Sequence, residues 1–455
     1  MASKKDLVEG QSFSRRRLIT AFVSGAPGGR EVEPGKPLRA VVGGVVLSAI
    51  LVVGALAAGL LAPTLPDGWD QDSLVIAEDT GARYVALDGV LYPVINTASA
   101  RLLIPSGFKV VSAKAEKLTD SKRGPTRGII GAPDALPTPA TLVDTGWTSC
   151  TSTAAGVETR ISRSPNAAIV QDKAVIVSVV TDGSTSYFLV DNGLRYGIPA
   201  AALTAVKRAL ELETAADYTV TAAWLNLFGR GPDIDVRSFA ITSPGKTLAG
   251  VDGLPDSAEV GSVVADTANP DRPYLLLDGG RIAPLTPFAY ALYRTADAAA
   301  PNVLTVPGPV FASLGVADPV WPAAWPAQTP KALTGIPCAM LTAATGGIKP
   351  EVNLAASDEN PPTDGATSAI VDPGAGALVR AVGAASLDNG AVFLIDQTGS
   401  AFPITGTGET DPIAQLGFAR TDVVPVPQAW LALLDVGPTL SAAAAQAQIA
   451  ATAGR

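Results

Sequence analysis

The chain has 455 residues, 47% of them hydrophobic and 16% charged, which supplies apolar sequence for several cores and is far from the make-up of a disordered polyelectrolyte. It contains no histidine, which removes Ser-His-Asp and Cys-His nucleophile systems and the common zinc sites, and its net charge of −9 argues against nucleic acid as the principal partner. With 45 glycines and 37 prolines, many turns between short elements are expected.

Residues 1–39 form a basic cytoplasmic segment of net charge +4 that includes the run Arg15-Arg16-Arg17. Phe13, Leu18, Ile19 and Phe22 fall at near-helical spacing beside it, which suits either a short amphipathic helix on the inner leaflet or a plain topogenic charge cluster. Residues 40–61, AVVGGVVLSAILVVGALAAGLL, carry no charge over 22 positions. At 1.5 Å per residue they cross a hydrocarbon core about 30 Å thick, and they exceed the apolar core of a cleaved signal peptide, so one retained transmembrane helix is predicted. The positive-inside rule then leaves the N terminus in the cytoplasm and exports the 394 residues after Leu61.

Four segments of the exported part align on an aspartate: 84–94 about Asp88, 187–198 about Asp191, 274–285 about Asp278 and 393–404 about Asp396. Each reads as an apolar run, an Asp/Gly/Asn turn and a second apolar run, the pattern of a β-hairpin, and helical spacing follows, as in 200–210. The aspartates are read as turn formers that bond nearby backbone, so Asp191→Asn and Asp396→Asn are expected mainly to disturb local folding. Trp224 and Trp430 stand 33 and 34 residues beyond Asp191 and Asp396 and are read as packing residues of the repeat before sugar platforms. The fold class is α+β. Repeat 1 is placed at 73–133, repeat 2 at 172–240, repeat 3 at 256–299 and repeat 4 at 373–440. A central domain is assigned to 134–171 and 300–372, holding Trp147, Trp321 and Trp325, and a flexible tail to 441–455.

Cys150 and Cys338 are the only cysteines, and a disulfide between them is expected in an exported region. Three short motifs fail on their spacing. Gly245-Lys246-Thr247 has Ala240 where a phosphate-binding loop needs glycine; Ser106-Gly-Phe-Lys109 lacks companion elements; Asp358, Asn360 and Asp364 have Pro362 at a calcium-ligand position and Ala369 at the twelfth. No catalytic, cofactor or metal site is predicted.

The basic end, the single span, the segment 73–103, Gly131-Ala-Pro133 and Trp147-x-x-Cys150 together resemble the EccB family, membrane components of actinobacterial type VII (ESX) secretion systems. The resemblance implies a single N-terminal transmembrane helix followed by an elongated periplasmic part, four small strand-turn-strand/helix repeats around a β-rich central domain with the cysteines bridged. It implies a structural and assembly subunit of the inner-membrane complex that self-associates in the periplasm beside EccC, EccD, EccE and the mycosin protease. ATP hydrolysis has been attributed to the family, and no complete nucleotide-binding motif is present to receive it. The alternatives are a peptidoglycan-binding module that uses the repeat tryptophans, or a weak ATPase.

Overall fold

In the computed structural model, which describes residues 3–24, 37–60, 65–105, 107–248, 251–296, 303–342, 349–361, 364–383, 386–387, 389–406 and 410–449, the chain divides into two units, Met1–Asp67 and Gly68–Arg455. The first unit consists of two helices. Lys4–Ser24 opens with the Asp6 carboxylate accepting from the Ser3 N–H at 3.0 Å, a negative charge at the positive end of the helix dipole. Phe13, Leu18, Ile19 and Phe22 are exposed on it. Pro37–Leu60 has 24 residues. Its side chains are described at residue 38 and over 40–55, and among the described residues no helix is long and apolar enough to cross a membrane. The remainder of the expected span 40–61 lies outside the described side chains.

In the second unit the described strands form five sheets, four of which share one plan. In the first sheet Ser73–Ala77, Arg83–Leu87 and Val90–Pro93 form an antiparallel meander, and Lys109–Ala113 and Lys122–Arg123 close its two edges in parallel. Asp88 and Gly89, at φ 47° and 74°, make the two-residue turn whose twist suits a hairpin. Helix Thr97–Leu103 follows. Asn96 caps it by accepting from Ser99 N at 2.9 Å and donates to Ile129 O at 2.8 Å, while Ser99 Oγ accepts from Ile129 N at 2.8 Å. Both polar side chains are buried, and each is satisfied by the backbone of Ile129 in the loop beside the helix.

The same order recurs three times. The second meander is Lys173–Thr181, Ser184–Asp191 and Leu194–Ile198, flanked in parallel by Tyr218–Thr219 and Gly229–Arg230. The third is Val263–Asp266, Asn269–Leu277 and Arg281–Pro284, flanked by Leu304–Val306 and Gly315–Val316. The fourth is Ala377–Val382, Val392–Ile395 and Ser400–Ile404, flanked by Val424–Pro427 and Asp435–Val436.

Units of this size bury too little apolar surface alone, and here they share cores in pairs. Leu74, Val85 and Leu102 of the first repeat pack with Leu394, Phe402 and Leu416 of the fourth. Leu189, Val206 and Leu210 of the second pack with Leu275, Phe288 and Leu292 of the third.

Three expected boundaries are corrected. Residues 303–316, assigned to the central domain, supply both parallel edges of the third sheet, because the short meander leaves its edges open until they arrive. Trp321 and Trp325, also assigned there, pack in the core of the second and third repeats, where the Trp325 ring meets Phe239 at 5.5 Å and Phe288 at 5.9 Å. The segment 441–449, expected to be a flexible tail, contains helix Ala442–Gln446. Ser441 caps this helix, its Ala445 is fully buried in the first-and-fourth core, and Ile449 N donates to Thr126 O at 3.0 Å. Residues 450–455 lie outside the described residues.

Candidate functional site at the central sheet

The fifth sheet runs in the order Thr367–Val371, Val157–Ile161, Trp147–Thr151, Ile336–Thr342, Glu351–Ser357, Ala168–Ile169. Its two middle strands are antiparallel, with Cys150 directly opposite Cys338. Their sulfurs are bonded, with Cα atoms 3.9 Å apart and 188 positions of sequence between them. Both side chains are buried. The loop so closed contains the whole of the second and third sheets.

One core joins this sheet to the second and fourth repeats. Trp147, Trp224 and Trp430 are fully buried in it, with Val177 and Phe228 from the second repeat and Val379 and Ile395 from the fourth. Trp224 donates through Nε1 to Ser149 O at 2.9 Å and meets Phe228 edge-on at 5.1 Å. Trp430 meets Trp147 edge-on at 6.2 Å. Edge-to-face rings of this kind add to the burial term. The wall-binding reading of Trp224 and Trp430 is corrected here: with no exposed face, neither ring can stack on a sugar.

The hairpin tips are the second contact. Gly193, at φ 81°, lies so close to Val352 O that a Cβ would collide with it, and Gly399, at φ 80°, stands likewise against Ala369. Glycine is thus required twice at each tip, by the left-handed backbone and by the approach to a strand of the central sheet.

The four aligned aspartates do not act alike. Asp396 bonds its own turn as expected, accepting from Thr398 N at 3.0 Å, Thr398 Oγ1 at 2.6 Å and Ser400 N at 3.3 Å. Asp278 accepts from Gly279 N at 2.9 Å and from Lys246 Nζ at 3.0 Å. Asp88 is itself a turn residue, whereas Asp191 is the last residue of its strand, opposite Leu194, with Asn192 and Gly193 making the turn. The alignment is therefore one position out of phase in the second repeat. Asp191 is buried, and burial, followed by the charge of Asp172, raises its carboxyl to about 6.

A carboxyl whose folded pKa is raised above its unfolded value penalises folding once ionised: the penalty is absent below about 4, grows between about 4 and 6, and is complete above. Asp191→Asn is accordingly expected to stabilise the protein at pH 7 by about 1–3 kcal/mol, the upper figure being discounted for residual water at the carboxylate, and to leave stability unchanged near pH 3.5. Urea midpoints at the two pH values measure it. Destabilisation at pH 7 would return Asp191 to the role of a turn former.

Lys246 sits in a turn whose amides are already used: Gly245 N donates to Val260 O at 2.9 Å and Lys246 N to Ser243 O at 3.2 Å. Its ammonium is paired with Asp278, whose carboxyl it holds below the usual carboxylate range. This is a packed turn rather than an open nest of N–H groups for a phosphate. Lys109 begins an edge strand, and Ser106 lies outside the described residues. Asp364 accepts from Ala366 N at 3.1 Å in a local turn, and Pro362 lies outside the described residues. Among the described residues no group of three acidic or cysteine side chains is placed to hold a metal ion.

Sequence reasoning missed the network Thr148–Asn166–Glu359–Arg160, which ties the central sheet to its flanking loops at 2.7, 3.1 and 3.2 Å in that order. Scattered Thr, Asn, Glu and Arg positions carry no pattern that spacing could reveal.

The family model for the type VII secretion system ESX-1 transport TM domain B matches residues 1–453. The ESX-2 secretion system ATPase EccB2 of Mycobacterium tuberculosis is 28% identical over 97% of this chain and 94% of that protein. The ESX-3 secretion system ATPase EccB3 of Mycolicibacterium smegmatis is 27% identical over 89% and 83%. Among solved structures, a chain of an intact ESX-5 inner membrane complex superposes with a TM-score of 0.65 at 22% identity, covering 100% of this chain and 97% of that one. The EccB3 dimer from the ESX-3 core complex gives 0.65 at 24% identity, covering 82% and 99%. With the family model matched from end to end on a sheet-rich α+β fold, the chain belongs to the EccB family of type VII secretion system components.

Proposed function

We propose that this protein is a structural and assembly subunit of a type VII secretion membrane complex, anchored by residues 40–61 and exporting everything after Leu61, where it self-associates. The observation that carries the reading is the family match over residues 1–453, which takes in the basic end, the apolar helix and all five sheets. A solved relative is described as a dimer and another as part of an inner membrane complex, which supports self-association and a multi-subunit setting here. EccC, EccD, EccE and a mycosin protease are the proposed neighbours, and the segments 73–133, 172–240, 256–316 and 373–440, the third extended to take in its two parallel edges, the proposed repeats.

Alkaline phosphatase fused after residue 70 should be active, because the basic excess lies only before the apolar helix. Inactivity there, with an active cytoplasmic reporter at the same point, reverses the topology. A second reading is favoured by the relatives' description as ATPases. Purified protein should show no ATP turnover that Lys246→Ala removes, since Lys246 is engaged by Asp278. Turnover lost in that variant without loss of folding would establish the enzyme instead.

A further inference from the structure

A cavity of about 410 Å³ opens where the first and fourth repeats meet. Arg101 leaves helix Thr97–Leu103 and lays its guanidinium over the Phe108 ring, 4.4 Å from the centroid. Behind it stands Gly417, the left-handed cap of helix Pro412–Leu416 at φ 97°, where any Cβ would collide with the guanidinium. The arginine is thus held flat between an aromatic face and a bare backbone, an arrangement that fixes its donor fork.

Among the described residues no hydrogen bond or ion pair reaches Arg101, and its Nε is buried without a partner. Asp411, at the rim, is committed elsewhere: Oδ2 accepts from Arg420 Nε at 2.8 Å and Oδ1 from Ile413 N at 3.1 Å. On the same wall Gln415 donates Nε2 to Leu102 O and Ile104 O, each at 3.2 Å, which satisfies carbonyls at the end of the facing helix and leaves Oε1 buried with no donor. Ile104, Pro105 and Ala414 supply apolar walls.

The interface of the second and third repeats offers a contrast. It has a cavity of about 260 Å³ with its own arginine, Arg237, and there Asp235 answers the fork at 2.8 Å to Nε and 2.5 Å to Nη2. Among the described residues the exposed Arg237 has a carboxylate partner and the half-buried Arg101 does not. A half-buried guanidinium without a counter-charge carries part of the cost of desolvation, and an orphaned buried acceptor carries its own.

We propose that the Arg101 cavity binds a carboxylate-bearing peptide segment of a partner protein, its carboxylate on the terminal Nη1 and Nη2 of Arg101 and its backbone against the apolar walls. The carboxylate comes from an acidic side chain or from a chain end. Three probes distinguish these: N-acetyl-glutamic acid α-amide, N-acetyl-alanine, and the uncharged N-acetyl-alanine amide.

Saturation-transfer NMR on the full chain in non-ionic detergent is expected to show saturable binding of at least one charged probe and none of the amide. Arg101→Gln should weaken that binding by about tenfold or more. Arg101→Lys keeps the charge and loses the fork, should also bind more weakly, and stands as the readout if the glutamine variant fails to fold. Binding of only the side-chain probe assigns an internal acidic residue, and of only the chain-end probe a terminus; either supports the site. Absence of binding by both charged probes, or binding that neither variant weakens, overturns it.

Discussion

Trp224→Ala and Trp430→Ala are each expected to cost about 3–5 kcal/mol, among the largest single-residue losses this chain can suffer. Both rings are fully buried and sit in a core drawn from the second repeat, the central sheet and the fourth repeat, so the void left by either has walls in three separately built pieces that cannot collapse together. The phenylalanine variants separate packing from hydrogen bonding. Trp224→Phe leaves Ser149 O without its indole donor and should cost about 1–2 kcal/mol more than Trp430→Phe, whose indole N–H is buried and unpartnered to begin with. Chemical denaturation of the purified protein gives all four values. Equal losses for the two phenylalanine variants would show that the bond to Ser149 contributes nothing measurable.

Removing the disulfide by the Cys150→Ala/Cys338→Ala pair is expected to lower stability by roughly 5 kcal/mol at most, the chain-entropy figure for a loop closed over 188 positions. The two cysteines already face each other across paired strands, so the native sheet should survive the change while the unfolded chain gains freedom. Alanine is the right replacement because both positions are buried, and serine would bring in hydroxyl groups there. Mass mapping of unreduced protein taken from membranes should find the two residues linked. Free thiols at both positions, or a variant as stable as the parent, would remove the clamp from the account.

The hairpins could be read from the sequence because turn chemistry is local: Asp88-Gly89 and Asn192-Gly193 lie between apolar runs, and only residues tolerant of positive φ fit there. The common order of the four sheets was only half visible. The meanders have a period, while their parallel edge strands are as short as two residues, as at Gly229–Arg230 and Asp435–Val436, and such strands carry no periodicity at all. Pairing of the first repeat with the fourth was out of reach, since any apolar face satisfies any other until shape decides. The same holds for Trp325, whose neighbours Phe239 and Phe288 lie far off in sequence. Arg101 gave no signal because its significance is a missing partner, and a sequence cannot show who fails to arrive.

The shared core of the first and fourth repeats sets a waiting time. Synthesis delivers the chain N terminus first, so 73–133 emerges complete in sequence yet short of Leu394, Phe402, Leu416 and helix Ala442–Gln446 that finish its interior. At about 5–20 residues per second, on the order of half a minute passes before those partners exist. During that interval the second and third repeats, adjacent in sequence, can close on each other, while the first holds an unfinished apolar face. Nascent protein is therefore most exposed to aggregation and proteolysis at its first repeat, and a chain that stops short of helix Ala442–Gln446 is left with an unfinished beginning.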